Sequence, residues 1–124
     1  MITAVNDVLK CAKCGMVVEV VVGGDCSECS EPPVKLKANT VDGVQEKHVP
    51  VIEKVPDGFL VKIGAVPHPM TDKHSILYVE VIGEKMLHRH YFAPGEVPEA
   101  FFNMKYNSKL KIRAYCNLHG LWEL

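Results

Sequence analysis

Apolar and polar residues alternate along much of this chain. From Lys109 to Ala114, Leu110, Ile112 and Ala114 point one way and Lys109, Lys111 and Arg113 the other, the period of two that a half-buried strand requires. Val44–Val55, Phe59–Gly64, His74–Ile82 and Lys85–Phe92 read as further strands, set apart by the turn signals Pro56-Asp57-Gly58, Gly83-Glu84 and Ala93-Pro94-Gly95. No long segment sustains a 3.6-residue apolar period, and the eighteen Val and six Ile favour extended backbone. About seven short strands at this spacing predict an all-β chain built as an immunoglobulin-like antiparallel β-sandwich.

The first 37 residues do not share that pattern. They hold two Cys-x-x-Cys pairs, and Pro32-Pro33 with the polar stretch Lys35–Thr40 marks an exit from a small separate unit. Such a segment is too short for its own apolar core, so a metal has to close it. The expected organisation is therefore a four-cysteine domain over residues 1–37 and a β-sandwich over 38–124.

Length and composition narrow the function classes. A chain of 124 residues, 48% apolar and 23% charged, has one sizeable core. Fourteen Lys and Arg against fifteen Asp and Glu give a net charge of -1, which supplies no basic field for nucleic acid. The longest apolar stretches, Val17–Val22 and Phe59–Val66, are broken by Glu19 and Lys62 and are too short to span a bilayer. The N-terminus shows no basic start followed by an apolar run, so a cytoplasmic location is expected. Five cysteines, four of them in Cys-x-x-Cys pairs, read in a reducing compartment as metal ligands rather than disulfides.

Two constellations carry chemistry. Cys11-Ala12-Lys13-Cys14-Gly15 and, after eleven intervening residues, Cys26-Ser27-Glu28-Cys29 put four thiolates on two turns that can converge on one centre, a redox iron site or structural zinc. The second comprises Glu46-Lys47-His48-Val49-Pro50, Pro67-His68-Pro69, Asp72-Lys73-His74 and Cys116-Asn117-Leu118-His119-Gly120. Pro67 and Pro69 restrain the backbone that presents His68. In an extended chain Cys116 and His119 would stand about 10 Å apart on opposite faces, so the Asn117 and Gly120 turn chemistry is needed to unite them. Four imidazoles and a thiolate exceed the tetrahedral demand of structural zinc and leave one octahedral position open, which favours a redox metal such as iron. His88 and His90 read as solvated strand residues, and Trp122 and Phe101-Phe102 as core or interface.

The second constellation, with Met70, Pro94-Gly95, Pro98-Glu99-Ala100 and Trp122, resembles in order the catalytic domain of the superoxide reductases, the neelaredoxin and desulfoferrodoxin family, over residues 41–124. The resemblance implies a mononuclear iron with His48, His68, His74 and His119 in its equatorial plane and Cys116 as axial ligand, with Glu46 and Lys47 at the open sixth position. It implies one-electron reduction of superoxide to hydrogen peroxide without dioxygen release, a rubredoxin-like electron donor and a homodimer or tetramer. The four-cysteine domain resembles the desulforedoxin-like domain of desulfoferrodoxin but departs from it, since Ser27 and Glu28 separate cysteines that are adjacent there. A mononuclear tetrathiolate iron and a 4Fe-4S cluster, as attributed to the related methanoferrodoxin, both suit the spacing, with zinc ranked after them. The competing functions are an iron electron-transfer protein and a zinc-stabilised interaction module.

Overall fold

In the computed structural model, which describes residues 1–43 and 47–124, all regular structure is antiparallel strand. Among the described residues no helix is long and apolar enough to cross a membrane. The chain divides into two compact units, Met1–Lys37 and Ala38–Leu124.

The first unit carries β1 (Val8–Lys10), β2 (Val17–Glu19) and β3 (Val34–Lys35) in the order β2-β1-β3. Only Thr3, Val8 and Leu9 are buried in it, far too little apolar area to offset the ordering of a chain of this length.

Among the described residues the second unit contains seven strands: β4 (Pro50–Val55), β5 (Gly58–Ile63), β6 (Ile76–Ile82), β7 (Leu87–Tyr91), β8 (Glu99–Phe102), β9 (Lys111–Cys116) and β10 (Gly120–Glu123). They form one sheet of order β4-β5-β8 and another of order β10-β9-β6-β7. Alternation sends Phe59, Val61 and Ile63 of β5 inward against Val79 and Val81 of β6 and Ile112 and Ala114 of β9, in one core cluster drawn from both sheets, as a sandwich requires. Each such fully buried side chain contributes about 1.5–3 kcal/mol.

Two expectations need correction. The strand predicted over Val44–Val55 is seen from Pro50 onward, residues 44–46 lying outside the described residues; His48 and Val49 stay out of it because the Asp42 carboxylate accepts from both their backbone N–H groups and so satisfies them outside any ladder. The last predicted alternation is right in direction but not in exposure. Arg113 lies on the outer face of β9 yet is buried, because it stands directly across from Glu80 of β6. Glu80 has no exposed surface and accepts from Arg113 Nε at 2.8 Å and Nη2 at 2.6 Å, and from Arg89 Nε at 3.1 Å and Nη2 at 2.9 Å. Two forked guanidinium contacts repay the desolvation of that carboxylate far better than one would.

Sheet register fixes where the loops gather. Pro50 at the start of β4 pairs with Ile63 at the end of β5, and Ile76 at the start of β6 pairs with Cys116 at the end of β9. In antiparallel sheets each such pair marks a single edge, so the segments entering β4 and β6 and those leaving β5 and β9 share sheet ends.

Candidate metal centre

These loops bring five separated residues together. His48 precedes β4, His68 lies in the β5–β6 connection, His74 stands two residues before β6, Cys116 ends β9, and His119 sits in the turn before β10. One donor atom from each lies within 4.8 Å of all the others. Among the described residues this is the one group of three or more His, Cys, Asp or Glu side chains that closes to metal-binding separation.

The four imidazoles are arranged as a ring. Contacts run from His48 to His68 with centroids 4.5 Å apart, His68 to His74 at 4.7 Å, His74 to His119 at 5.0 Å, and His119 back to His48 at 5.0 Å. Neighbouring rings are tilted by 59° to 82°, so they meet edge to face rather than stacked. The buried Cys116 Sγ lies 3.6 Å from His68 Nε2 and 3.7 Å from His119 Nδ1. A first-row metal bonded to nitrogen and sulfur at about 2.0–2.3 Å separates two ligands by roughly 3 Å at right angles and about 4.2 Å across. The observed separations are slightly wider than these, and the donor set fits a metal of the iron, copper and zinc group.

Each donor is held by its own local chemistry. His68 is fixed by a 2.7 Å contact of Nδ1 with Pro69 O, which leaves Nε2 turned towards Cys116; a backbone carbonyl on the far nitrogen is the usual support of a ligating imidazole. His119 presents Nδ1, the nearer nitrogen, because it is only three residues from Cys116. Gly120, at φ +81°, pairs in register with Cys116, so residues 117–119 make the turn of a tight hairpin. The indole of Trp122 stacks on His48 at 4.4 Å and 11°, while its Nε1 donates to His119 O at 3.1 Å. Thr71 N donates to His74 O at 2.9 Å, and His74 N donates to Thr71 Oγ1 at 3.0 Å.

Gly64 is essential to this packing. Its φ of +86° suits glycine, and a Cβ there would collide with the carbonyl oxygen of Lys47 and meet Val66 O at 2.6 Å. The absence of a side chain lets the turn after β5 lie against the backbone that carries His48.

The remaining predicted site residues are not among the five that converge in the described structure. Lys47 is half-buried and its ammonium donates to Gly43 O at 3.0 Å. Glu46 lies outside the described residues. His88 and His90 are exposed on β7 and belong to no metal-sized cluster among the described residues. Sequence reasoning missed Asp42 and Gly64; an Asp-Gly step at 42–43 and a Gly at the end of a strand are ordinary turn signals, with nothing to mark their partners.

In the first unit the four cysteines are free thiols grouped as two near pairs. Cys14 N donates to Cys11 Sγ at 3.4 Å, and Gly15 closes the turn at φ +76°. Hydrogen bonds from the Cys14 backbone hold the Cys11 thiol below its ordinary range, whereas hydrogen bonding and charge at Cys26 push Cys29 up.

Similarity to known proteins agrees with this geometry. The desulfoferrodoxin family profile matches residues 40–124. The desulfoferrodoxin of Syntrophotalea carbinolica is 49% identical over 118 residues, covering 94% of this chain and 93% of its own. The desulfoferrodoxin homolog of Methanothermobacter thermautotrophicus is 43% identical over 122 residues, covering 97% and 98%. The crystal structure of the superoxide reductase from Treponema pallidum superposes with a TM-score of 0.67 at 28% identity, covering 94% of this chain and 98% of that one. With the profile spanning all but the first two residues of the sandwich unit and relatives aligned nearly end to end, the chain belongs to the desulfoferrodoxin family.

Proposed function

We propose that the protein is a superoxide reductase, an oxidoreductase that converts superoxide to hydrogen peroxide at a mononuclear iron held by His48, His68, His74, His119 and Cys116. The observation that carries this reading is the convergence of four imidazoles and one buried thiol, donors from both sheets, within 4.8 Å. Similarity to proteins named superoxide reductase supports it.

Iron held by these five side chains would supply the single electron that superoxide must receive. The protein's residues do the rest. Cys116, buried and anionic when it ligates, is the strongest electron donor of the set and disposes the centre to give up an electron. The backbone carbonyl at His68 Nδ1 fixes that ring's tautomer and orientation. Trp122 covers one face of His48 and keeps bulk water from it. Lys47, next in sequence to the first ligand, is the ammonium assigned to draw in a small anion, and Glu46, outside the described residues, the carboxylate that would serve the same centre.

The four cysteines of the first unit form the second centre of this reading, a mononuclear tetrathiolate iron or a 4Fe-4S cluster that passes electrons. Backbone donation to Cys11 is the support a thiolate ligand receives in such turns. A small rubredoxin-like carrier as electron donor and a homo-oligomeric assembly belong to the same reading. The free thiols suit the reducing cytoplasm expected from the sequence.

The test is reductant-dependent consumption of superoxide by iron-loaded protein under anaerobic conditions. The parent consumes superoxide in proportion to a one-electron reductant supplied, and Cys116→Ser abolishes the activity. Consumption that needs no reductant, or that survives Cys116→Ser, would overturn the assignment.

A further inference from the structure

Asn117 lies between two of the five donors in sequence, but its side chain acts on a third. Its amide oxygen accepts from Ser75 N at 3.0 Å, and its amide nitrogen donates to Lys73 O at 2.8 Å. Asn117 N also donates to Ser75 O at 3.2 Å. Three hydrogen bonds across 42 or more residues therefore grip the backbone on either side of His74. The orientation of the amide follows from its partners, since a backbone N–H can face only the oxygen and a carbonyl only the nitrogen.

Few side chains satisfy both partners at once. Aspartate supplies the acceptor but no donor, serine is too short, and glutamine adds a methylene that moves the amide past both. The same residue sits in the hairpin turn that brings Cys116 and His119 together, so one side chain couples the turn holding two donors to the loop holding another. Neither Lys73 nor Ser75 belongs to the five-donor group, and the contact is made entirely to backbone.

We propose that Asn117 is a positioning residue of the metal centre: by clamping Lys73 and Ser75 it sets the place of the His74 imidazole relative to Cys116 and His119. This rests on the proposed metal-binding role of those side chains. Without the clamp, the 72–75 loop keeps its internal Thr71 contacts but loses its fixed relation to the β9–β10 turn. The centre then keeps its ligands and loses its hold on one of them.

The experiment uses the full chain loaded with Co(II), whose absorption reports ligand geometry, with release followed on addition of excess chelator. The release phase that Cys116→Ser removes identifies this centre. Asn117→Ala should release metal at least about tenfold faster in that phase, the scale on which supporting contacts to metal ligands act, with a shifted absorption band. Asn117→Asp, which keeps the acceptor for Ser75 N, should fall between Ala and the parent. Unfolding of the metal-free proteins, followed through Trp122, separates positioning from general stability. Release rates and spectra equal to the parent's in both variants would overturn the proposal, as would a loss confined to metal-free stability. A parent with no phase sensitive to Cys116→Ser would instead refute the metal reading beneath it.

Discussion

Gly64 and Gly95 provide a matched pair of substitutions. Both have left-handed backbone, φ +86° and +87°, but a Cβ on Gly95 would meet nothing within 4 Å, whereas one on Gly64 would strike the Lys47 carbonyl and come within 2.6 Å of Val66 O. Gly95→Ala therefore incurs only the conformational term, about 1–2 kcal/mol. Gly64→Ala incurs the same term plus displacement of two backbone carbonyls, which at the usual cost of overpacking adds roughly 1–3 kcal/mol. The expected losses are thus about 1–2 kcal/mol for Gly95→Ala and about 2–5 kcal/mol for Gly64→Ala. Trp122 is the only tryptophan in the chain and lies in the second unit, so its fluorescence during urea unfolding of the metal-free protein reports that unit alone. Because the displaced Lys47 carbonyl belongs to the residue before His48, Gly64→Ala should also weaken metal retention while Gly95→Ala leaves it intact. Losses of stability equal within about 0.5 kcal/mol, with unchanged metal retention in both, would refute the role given to the missing side chain.

Glu80→Gln leaves two guanidiniums facing a neutral amide at a site with no exposure; a loss of about 3–5 kcal/mol is expected in the same unfolding assay, and one below about 1 kcal/mol would contradict the description of the cluster. In the reduced, metal-free protein, iodoacetamide at pH 8 should alkylate Cys11 before Cys29, since the first thiol is held low and the second pushed up and the thiolate is the reacting form; mass-spectrometric mapping showing the reverse order would count against it. Lys47→Ala should slow the second-order reaction with superoxide by up to about tenfold at low salt and flatten its dependence on ionic strength; stopped-flow rates identical to the parent's at all salt concentrations would remove the steering role.

The sequence disclosed the sandwich because several strands alternate between turn signals, and it disclosed the five-residue group because four histidines and a cysteine in turn-rich contexts add up to a set that none of them would suggest alone. Its silences have physical causes. Alternation identifies the face on which Arg113 lies but not what stands opposite it, and only the β6–β9 register places Glu80 there. The predicted strand ran over His48 and Val49, which stand outside the ladder because a single carboxylate, six residues upstream of His48, takes both their amide hydrogens. Asn117 was legible as a turn residue, yet its side-chain partners lie at residues 73 and 75, and no local pattern announces a contact across that interval. Gly64 likewise reads as a strand terminator until the Lys47 carbonyl is seen against it.

The most direct test of the account is a single turnover in which anaerobically reduced, iron-loaded protein is mixed with substoichiometric superoxide and both products are quantified. The account predicts one hydrogen peroxide for each superoxide consumed, with oxidation of the iron centre and no dioxygen. Release of one dioxygen for every two superoxide consumed, with the centre returned to its starting state, would show dismutation and contradict it.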